Sequence, residues 1–279
     1  MNSGGLFRII RPLNSVAAGI AVIVAYLIAT GTLIPEVLLL FLAVFFVTAA
    51  GNVINDYFDV EIDRVNRPDR PIPSGAVTLP AARAYAVTLF LLGILVCLIT
   101  NWLCIAIAVG NSLLLIVYAA RLKRTPLFGN IAVSYLAGSM FLFGGALNGI
   151  NGLIHCIPFA GMTFFAMLAR ELIKDAEDVE GDLASGAETL PIRSGILPTV
   201  RIALVCAVLG ALTSLVPCLW WGYWYGVGIL VVDAILVSAC IRALRSQTPA
   251  EVRRSKASLL LKSGMFASLV VFTLSALFL

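Results

Sequence analysis

Nine stretches of this chain are apolar and long enough to cross a bilayer, and nothing else in the sequence constrains its fold as strongly. A helical span needs roughly 20 predominantly apolar residues to cross about 30 Å of hydrocarbon. Such runs fall at 13–30, 36–54, 83–100, 103–120, 130–148, 153–169, 199–217, 221–241 and 259–278. Without water to satisfy backbone N–H and C=O groups, segments of this length fold as helices. Of the 279 residues, 61% are hydrophobic and 12% are charged, where soluble domains show about half and about a quarter. That composition excludes a soluble globular protein, a disordered chain and a nucleic-acid binder. The first run follows Arg8 and Arg11 as a signal peptide would. It is longer than a signal core and eight more runs follow, so it reads as a helix. The expected architecture is all-α, integral to the membrane and surrounded by lipid, with one domain over 1–279.

The 19 Lys and Arg residues test the span count. Alternate connections between nine spans lie on opposite sides, and every cation falls on the same side. They form groups at Arg8 and Arg11, Arg64 to Arg83, Arg121 to Arg124, Arg170 to Arg201, and Arg242 to Lys262. The turns near Thr32, Asn101, Asn151 and Trp221 carry none. By the positive-inside rule the N-terminus and the charged side are cytoplasmic and the C-terminus is outside. The cysteines lie in or beside spans without a C-x-x-C pair and read as small packing residues. His155, the single histidine, sits by a short outer turn.

All of the 15 acids except Glu36, Asp233 and Glu251 fall in two segments on the charged side. In the first motif, 52–63, Asp56, Asp59 and Asp63 stand at i, i+3 and i+7, and Asn52 extends that helical face by a turn. In the second, 171–182, Asp175, Asp178 and Asp182 repeat the spacing and Glu171 extends it. Like charges stacked on one face repel unless a cation sits among them, and two such faces point to divalent metal. The repeat is longer than the acids. Pro71-Ile72-Pro73-Ser74-Gly75 follows the first motif and Pro191-Ile192-Arg193-Ser194-Gly195 the second, and each block leads into Pro-x-x-Arg before the next span. Two pseudo-repeated halves are therefore expected around a cavity open to the cytoplasmic side, as in parallel-repeat transporters. Asp233, inside the eighth span, is an intramembrane acid and so a functional candidate or a buried, hydrogen-bonded carboxyl.

Carboxylates with no His or Cys among them suit Mg²⁺, which takes one or two protein oxygens and leaves positions for substrate phosphates. The interleaved Arg67, Arg70, Lys123, Arg124 and Lys174 can take the remaining phosphate oxygens. A diphosphate at the membrane surface with its tail among apolar helices is a prenyl diphosphate donor. Its allylic C–O bond ionises as the diphosphate departs. Aromatic faces stabilise the cation, with Tyr118, Phe141 and Phe143 as candidates, and an acceptor attacks C1 in a site shielded from water.

Asn55-Asp56-Tyr57-Phe58-Asp59-Val60-Glu61-Ile62-Asp63 resembles the N-D-x-x-D-x-x-x-D motif of the UbiA superfamily of intramembrane prenyltransferases. Lys174-Asp175-Ala176-Glu177-Asp178-Val179-Glu180-Gly181-Asp182 is similar to its second motif. The resemblance covers essentially the whole chain and implies nine helices around a lateral-opening cavity. It implies that Asn55, Asp59, Asp63, Asp178 and Asp182 organise Mg²⁺ and diphosphate, with Asp56 and Asp175 in support as metal ligands. Arg67, Lys123 and Lys174 would neutralise phosphate. Many members follow the fourth-span tyrosine with serine, whereas Ala119 follows Tyr118 here. Four further stretches resemble the branch of the superfamily that builds archaeal ether lipids. They are Arg11-Pro12-Leu13-Asn14, 66–75, 122–130 and 141–145. The branch implies geranylgeranyl diphosphate as donor, geranylgeranylglyceryl phosphate as a lipid-like acceptor, and Asn14 and Asn52 among the substrate-binding residues. An aromatic or tetrapyrrole acceptor is the alternative within the superfamily, and an ion transporter is a remote one outside it. A CDP-alcohol phosphotransferase needs an Asp-Gly pair, and no Asp here precedes Gly.

Overall fold

The computed structural model describes residues 3–184 and 186–279. The first helices are α1 (Ser3–Ile9), α2 (Pro12–Thr30), α3 (Val37–Phe58), α4 (Val60–Asn66), α5 (Leu79–Cys97) and α6 (Trp102–Ala120). After a 3-10 turn at Leu122–Arg124 come α7 (Phe128–Ala146), α8 (Gly149–Glu177), α9 (Val179–Ala184), α10 (Leu190–Ser194) and α11 (Ile196–Ser214). The last are α12 (Cys218–Ala243), α13 (Pro249–Ser255) and α14 (Ala257–Phe278). Among the described residues, nine helical stretches are long and apolar enough to cross a membrane, and they coincide with the nine runs of the sequence. The protein is a multi-pass, all-helical membrane protein. Two boundaries differ from the apolar runs in a useful way. α3 continues to Phe58 and α8 to Glu177, because polar residues outside the hydrocarbon do not interrupt the backbone hydrogen-bond ladder. Both acidic motifs therefore begin as helical extensions of spans.

Packing divides the chain into two compact units. One comprises the residues through Arg121 with Phe143–Ile154, the other Leu122–Leu142 with His155–Leu279. In the first unit, Ala49 and Ala50 of α3 meet Ala82 and Ala86 of α5, all fully buried, beside Val53, Leu89 and Phe90. Apolar burial gives no drive between helices in lipid, so small side chains that let backbones approach are what such a seam requires. Gly144 shows the limit: a Cβ there would lie 2.7 Å from Ala25 Cβ and 2.8 Å from the Tyr26 backbone nitrogen. Ile9, Ile10, Ile72 and Val77 join the same core. This ties α1 and the loop after α4, which carry Arg8, Arg11, Arg67 and Arg70, to the ends of the spans.

The second unit is organised around rings. Phe159 packs 5.2 Å from Phe272 and 6.2 Å from Phe141, centroid to centroid, and His155 lies 4.6 Å from the Trp220 ring. Phe141 also meets Phe272 edge-on, so its faces are occupied by packing. Pro158 interrupts the hydrogen-bond ladder of α8, and α12 kinks at Gly222, where φ is 67°. Asp233 accepts a hydrogen bond from Ser214 Oγ of α11, and Tyr225 Oη donates to the Ser214 carbonyl at 2.9 Å. The acid of the eighth span is thus a buried carboxyl held by a neighbouring helix. Cys97, Cys104, Cys156, Cys206, Cys218 and Cys240 are free thiols, all but Cys218 buried.

The close approach at Gly144 gives a stability test. Gly144→Ala should cost about 1–3 kcal/mol, the range for overpacking a rigid contact. Gly110 has nothing within 4 Å of its added Cβ, so Gly110→Ala should be neutral or stabilising by at most about 1 kcal/mol. Denaturant titration of the two variants in micelles measures both.

Candidate active site

The same local device positions the acids at the ends of α3 and α8. At Asp59 the helix breaks for one residue between α3 and α4. Its N–H still donates to the Asn55 carbonyl at 3.0 Å, and Asp63 N–H to the Asp59 carbonyl at 2.8 Å. At Asp178, between α8 and α9, the corresponding bonds run from Asp178 N–H to Lys174 and from Asp182 N–H to Asp178, both 3.0 Å. The i to i+4 ladder survives each break, which keeps the helical periodicity on which the predicted faces depend.

In the first unit this face is buried and stapled by arginine. Arg70 Nη1 donates to Asp63 Oδ2 at 2.6 Å and to Asp56 Oδ1 at 3.1 Å, and Arg11 Nη2 donates to the same Asp56 oxygen at 2.6 Å. The Asp56 and Asp63 side chains are only 4% and 6% exposed, with Arg70 at 18% and Arg11 at 34%. Asn55 Nδ2 donates to Asp59 Oδ2 at 3.1 Å. Arg11 reaches Asp56 because its backbone is left-handed, φ 48° and ψ 68°, directly before Pro12. That corner is fixed by two side chains that both donate to the Ile10 carbonyl, Ser15 Oγ at 2.9 Å and Asn52 Nδ2 at 3.0 Å. Asn52 of α3, expected at the substrate, donates its amide N–H to that carbonyl and so holds the corner between α1 and α2 against α3. Arg8 Nη2 donates to the Asp69 carbonyl at 3.2 Å. Arg67 and Asn14 are exposed, and Tyr118 is half-buried near the end of α6.

The second unit neutralises its face differently. Asn130 Nδ2, on the first turn of α7, donates to Asp175 Oδ2 at 2.8 Å. Gly129 makes this possible, since a Cβ there would lie 2.8 Å from the Leu122 carbonyl oxygen and 3.1 Å from Lys123 Cα. The basic turn at Leu122–Arg124 therefore sits tight against α7. Glu188 N–H donates to the Arg124 carbonyl at 3.2 Å, which ties the loop after α9 to that turn. Burial pushes the Asp182 carboxyl above its ordinary pKa, opposed by the Thr189 hydroxyl and the Lys174 charge. Arg170 pairs with Glu171, and Arg253 Nη2 donates to the Glu177 carbonyl at 2.8 Å, at the C-terminal end of α8. Lys174 and Asp178 are exposed, and Lys123 and Asp175 are half-buried.

Sequence reasoning missed two partners, Arg11 for Asp56 and Asn130 for Asp175. Both lie in stretches singled out above, the Arg-Pro-x-Asn run and the run ending in Gly-Asn. Both contacts span the same separation, 45 residues.

Among the described residues, no three His, Cys, Asp or Glu side chains form a group that could hold a metal by themselves. Mg²⁺ needs no such cage, because one or two carboxylates, water and substrate phosphates hold it. Asp59 and Asp63 in the first segment and Asp178 and Asp182 in the second are hard oxygen donors of that kind, and neither motif contains His or Cys. The donor chemistry fits Mg²⁺ rather than a metal that prefers thiolate or imidazole.

Residues 18–270 match the UbiA prenyltransferase family. The chain belongs to that family and is an integral membrane prenyltransferase. It is 58% identical to a digeranylgeranylglyceryl phosphate synthase of Methanoregula boonei over 100% of both chains. A solved structure reported for digeranylgeranylglyceryl phosphate synthase in membranes superposes with TM-score 0.91 at 36% identity, covering 99% of each chain. A UbiA homolog from Archaeoglobus fulgidus bound to GPP and Mg²⁺ shares the fold, with TM-score 0.63 at 15% identity over 95% of this chain and 99% of that one.

Arg70 carries the first face. Replacing it with methionine should destabilise the protein by roughly 3 kcal/mol, the cost of stranding a buried partner. Combining Arg70→Met with Asp63→Asn should recover part of that loss in the same unfolding titration, because the stranded charge is gone. Additive losses would show that the pair carries no coupling.

Proposed function

We propose that this prenyltransferase moves a geranylgeranyl group from geranylgeranyl diphosphate to geranylgeranylglyceryl phosphate and so forms the second ether bond of archaeal membrane phospholipid. The observation that carries the reading is the 58% identity to a relative of that name over 100% of both chains. The allylic C1–O bond breaks and the diphosphate leaves with the electron pair. The free glyceryl hydroxyl oxygen then bonds to C1 and releases its proton, giving the diether phosphate, diphosphate and H⁺. Mg²⁺, when bound, supplies the positive charge that stabilises the departing diphosphate.

In this reading Asp59, Asp63, Asp178 and Asp182 orient the diphosphate through the metal, with Asn55 holding Asp59 and Asn130 holding Asp175. Lys123 and Lys174 place positive charge on its oxygens. The half-buried Tyr118 offers a ring to the developing cation. Asp56 acts through Arg11 and Arg70, which share its Oδ1, rather than as a direct ligand. Both motifs lie on the cytoplasmic side in this proposal, supported by the placement of every Lys and Arg in the sequence on one side of the span pattern.

The test is mass spectrometry of products from the purified protein given geranylgeranyl diphosphate, Mg²⁺ and a panel of acceptors. The expected product is the glyceryl phosphate carrying one further geranylgeranyl group. Asp59→Asn and Asp178→Asn should each lower kcat by about a hundredfold or more while leaving the protein folded in the membrane. Full activity of either variant without added metal would overturn the mechanism. A product formed only with an aromatic acceptor would overturn the substrate.

A further inference from the structure

We propose that a cavity beside the first acidic face binds the phosphate of the acceptor's glycerol headgroup, as a subsite separate from the carboxylates that serve the donor diphosphate. The inference rests on the transfer reading above and names the part of the first unit that takes the acceptor. The cavity measures about 360 Å³, and its charged lining is Arg8, Arg11, Arg67, Arg70, Asp56 and Asp69. Four guanidiniums against two carboxylates line the cavity, and with Asp63 on the far side of Arg70 the balance is still positive. A phosphate monoester, which carries about −1.5 to −2 at neutral pH, has the complementary sign.

The carboxylates of this cavity are poorly placed to serve a metal. Asp56 Oδ1 already takes Arg11 and Arg70, and Asp56 is buried beneath them. Asp59 and Asp63, the carboxylates assigned to the metal-bound diphosphate in the reading above, do not line the cavity. What the cavity presents instead is guanidinium, the group whose planar fork matches phosphate oxygens in pairs. Arg67 forms no side-chain hydrogen bond or ion pair among the described residues, and Arg8 spends one nitrogen on the Asp69 carbonyl. The left-handed backbone at Arg11 points the same way, since sparsely populated conformations at a non-glycine residue persist where the surroundings over-determine them, and they cluster at ligand sites. Size agrees as well. The cavity can take a glycerol phosphate but not a C20 chain, and α2 exposes Leu13, Val16 and Ile20 at i, i+3 and i+7 just past Arg11. An amphiphile anchored at Arg11 by its phosphate can lay its chain along that apolar stripe.

The experiment has a kinetic arm and a binding arm, both on the full-length protein in nanodiscs of neutral lipid. Arg8→Gln and Arg67→Gln should each raise the KM for geranylgeranylglyceryl phosphate about tenfold, the loss of one charge-assisted bond. The KM for geranylgeranyl diphosphate should stay within about twofold, and the preference for phosphorylated over unphosphorylated geranylgeranylglycerol should fall by the same factor as the acceptor KM rises. Arg67→Lys should recover part of the loss. A rise in donor KM instead, or an unchanged phosphate preference, would overturn the assignment.

The binding arm needs no turnover. Glycerol 1-phosphate should protect Arg8 and Arg67 from phenylglyoxal, read by peptide mass spectrometry, at concentrations where inorganic phosphate and Mg²⁺-pyrophosphate do not. Equal protection by inorganic phosphate would make this a general anion site, protection by Mg²⁺-pyrophosphate would return it to the donor, and protection by nanodiscs containing an anionic phospholipid would assign it to the membrane; each overturns the proposal. Protection by glycerol 1-phosphate in a protein that transfers to no glyceryl phosphate would instead overturn the transfer reading and leave the subsite standing.

Discussion

Charge placed at the edge of a hydrocarbon layer is the constraint from which the rest of the first unit follows. Three carboxylates at i, i+3 and i+7 are buried at the end of α3 and the start of α4. An ionised carboxylate taken out of water costs several kcal/mol unless it is paired and hydrogen-bonded. Arg11 and Arg70 meet that requirement for Asp56 and Asp63, and Asn55 contributes an amide to Asp59. Each partner in turn needs its own support. Arg70 is presented by the turn at 71–75, whose Ile72 enters the core. Arg11 is presented by a strained corner fixed by Ser15 and Asn52. The short segments between spans are thus fixed by electrostatic need as much as by packing.

The two acidic segments resolve the same problem with different chemistry. Asp56 and Asp175 are the first aspartates of their motifs, and each is held by a residue 45 positions earlier, at the start of the preceding span. In one segment that residue is a guanidinium and in the other an amide. The shared separation, and the shared break at the middle aspartate, support reading the halves as related. The difference in partner has an electrostatic consequence. An amide satisfies a lone pair without bringing a charge, and burial pushes the Asp175 carboxyl up to about 7, while Lys174 and Asp178 of the same segment are exposed.

Which parts were legible in the sequence follows from range. Nine spans could be read directly because membrane insertion depends on local composition, and each run carries its own signal. The acidic faces could be read because i, i+3 and i+7 are local too, and the ladder through Asp59 and Asp178 preserves the period. Arg11 and Asn130 could not be read as partners, because nothing local announces a contact made 45 residues away. Arg11 was hidden twice, since a residue before proline is expected to be extended and this one is left-handed. The place of Asn52 on the acidic face could be read, but its hydrogen bond to the carbonyl of Ile10, 42 residues earlier, could not. A periodic pattern identifies which residues share a face, not which of them that face spends on its own construction.

The same reasoning separates positioning from chemistry at Asp56. Two guanidiniums on one carboxylate oxygen make this aspartate a fixed anchor, and its removal would release Arg11 and Arg70 together. Asp59 accepts from the amide of Asn55, which carries no charge. Neighbouring aspartates of one motif, identical in type and three residues apart, are thereby given different work by what stands opposite them. The motif supplies the carboxylates, and the corner at Arg11 and the loop at Arg70 decide how each is used.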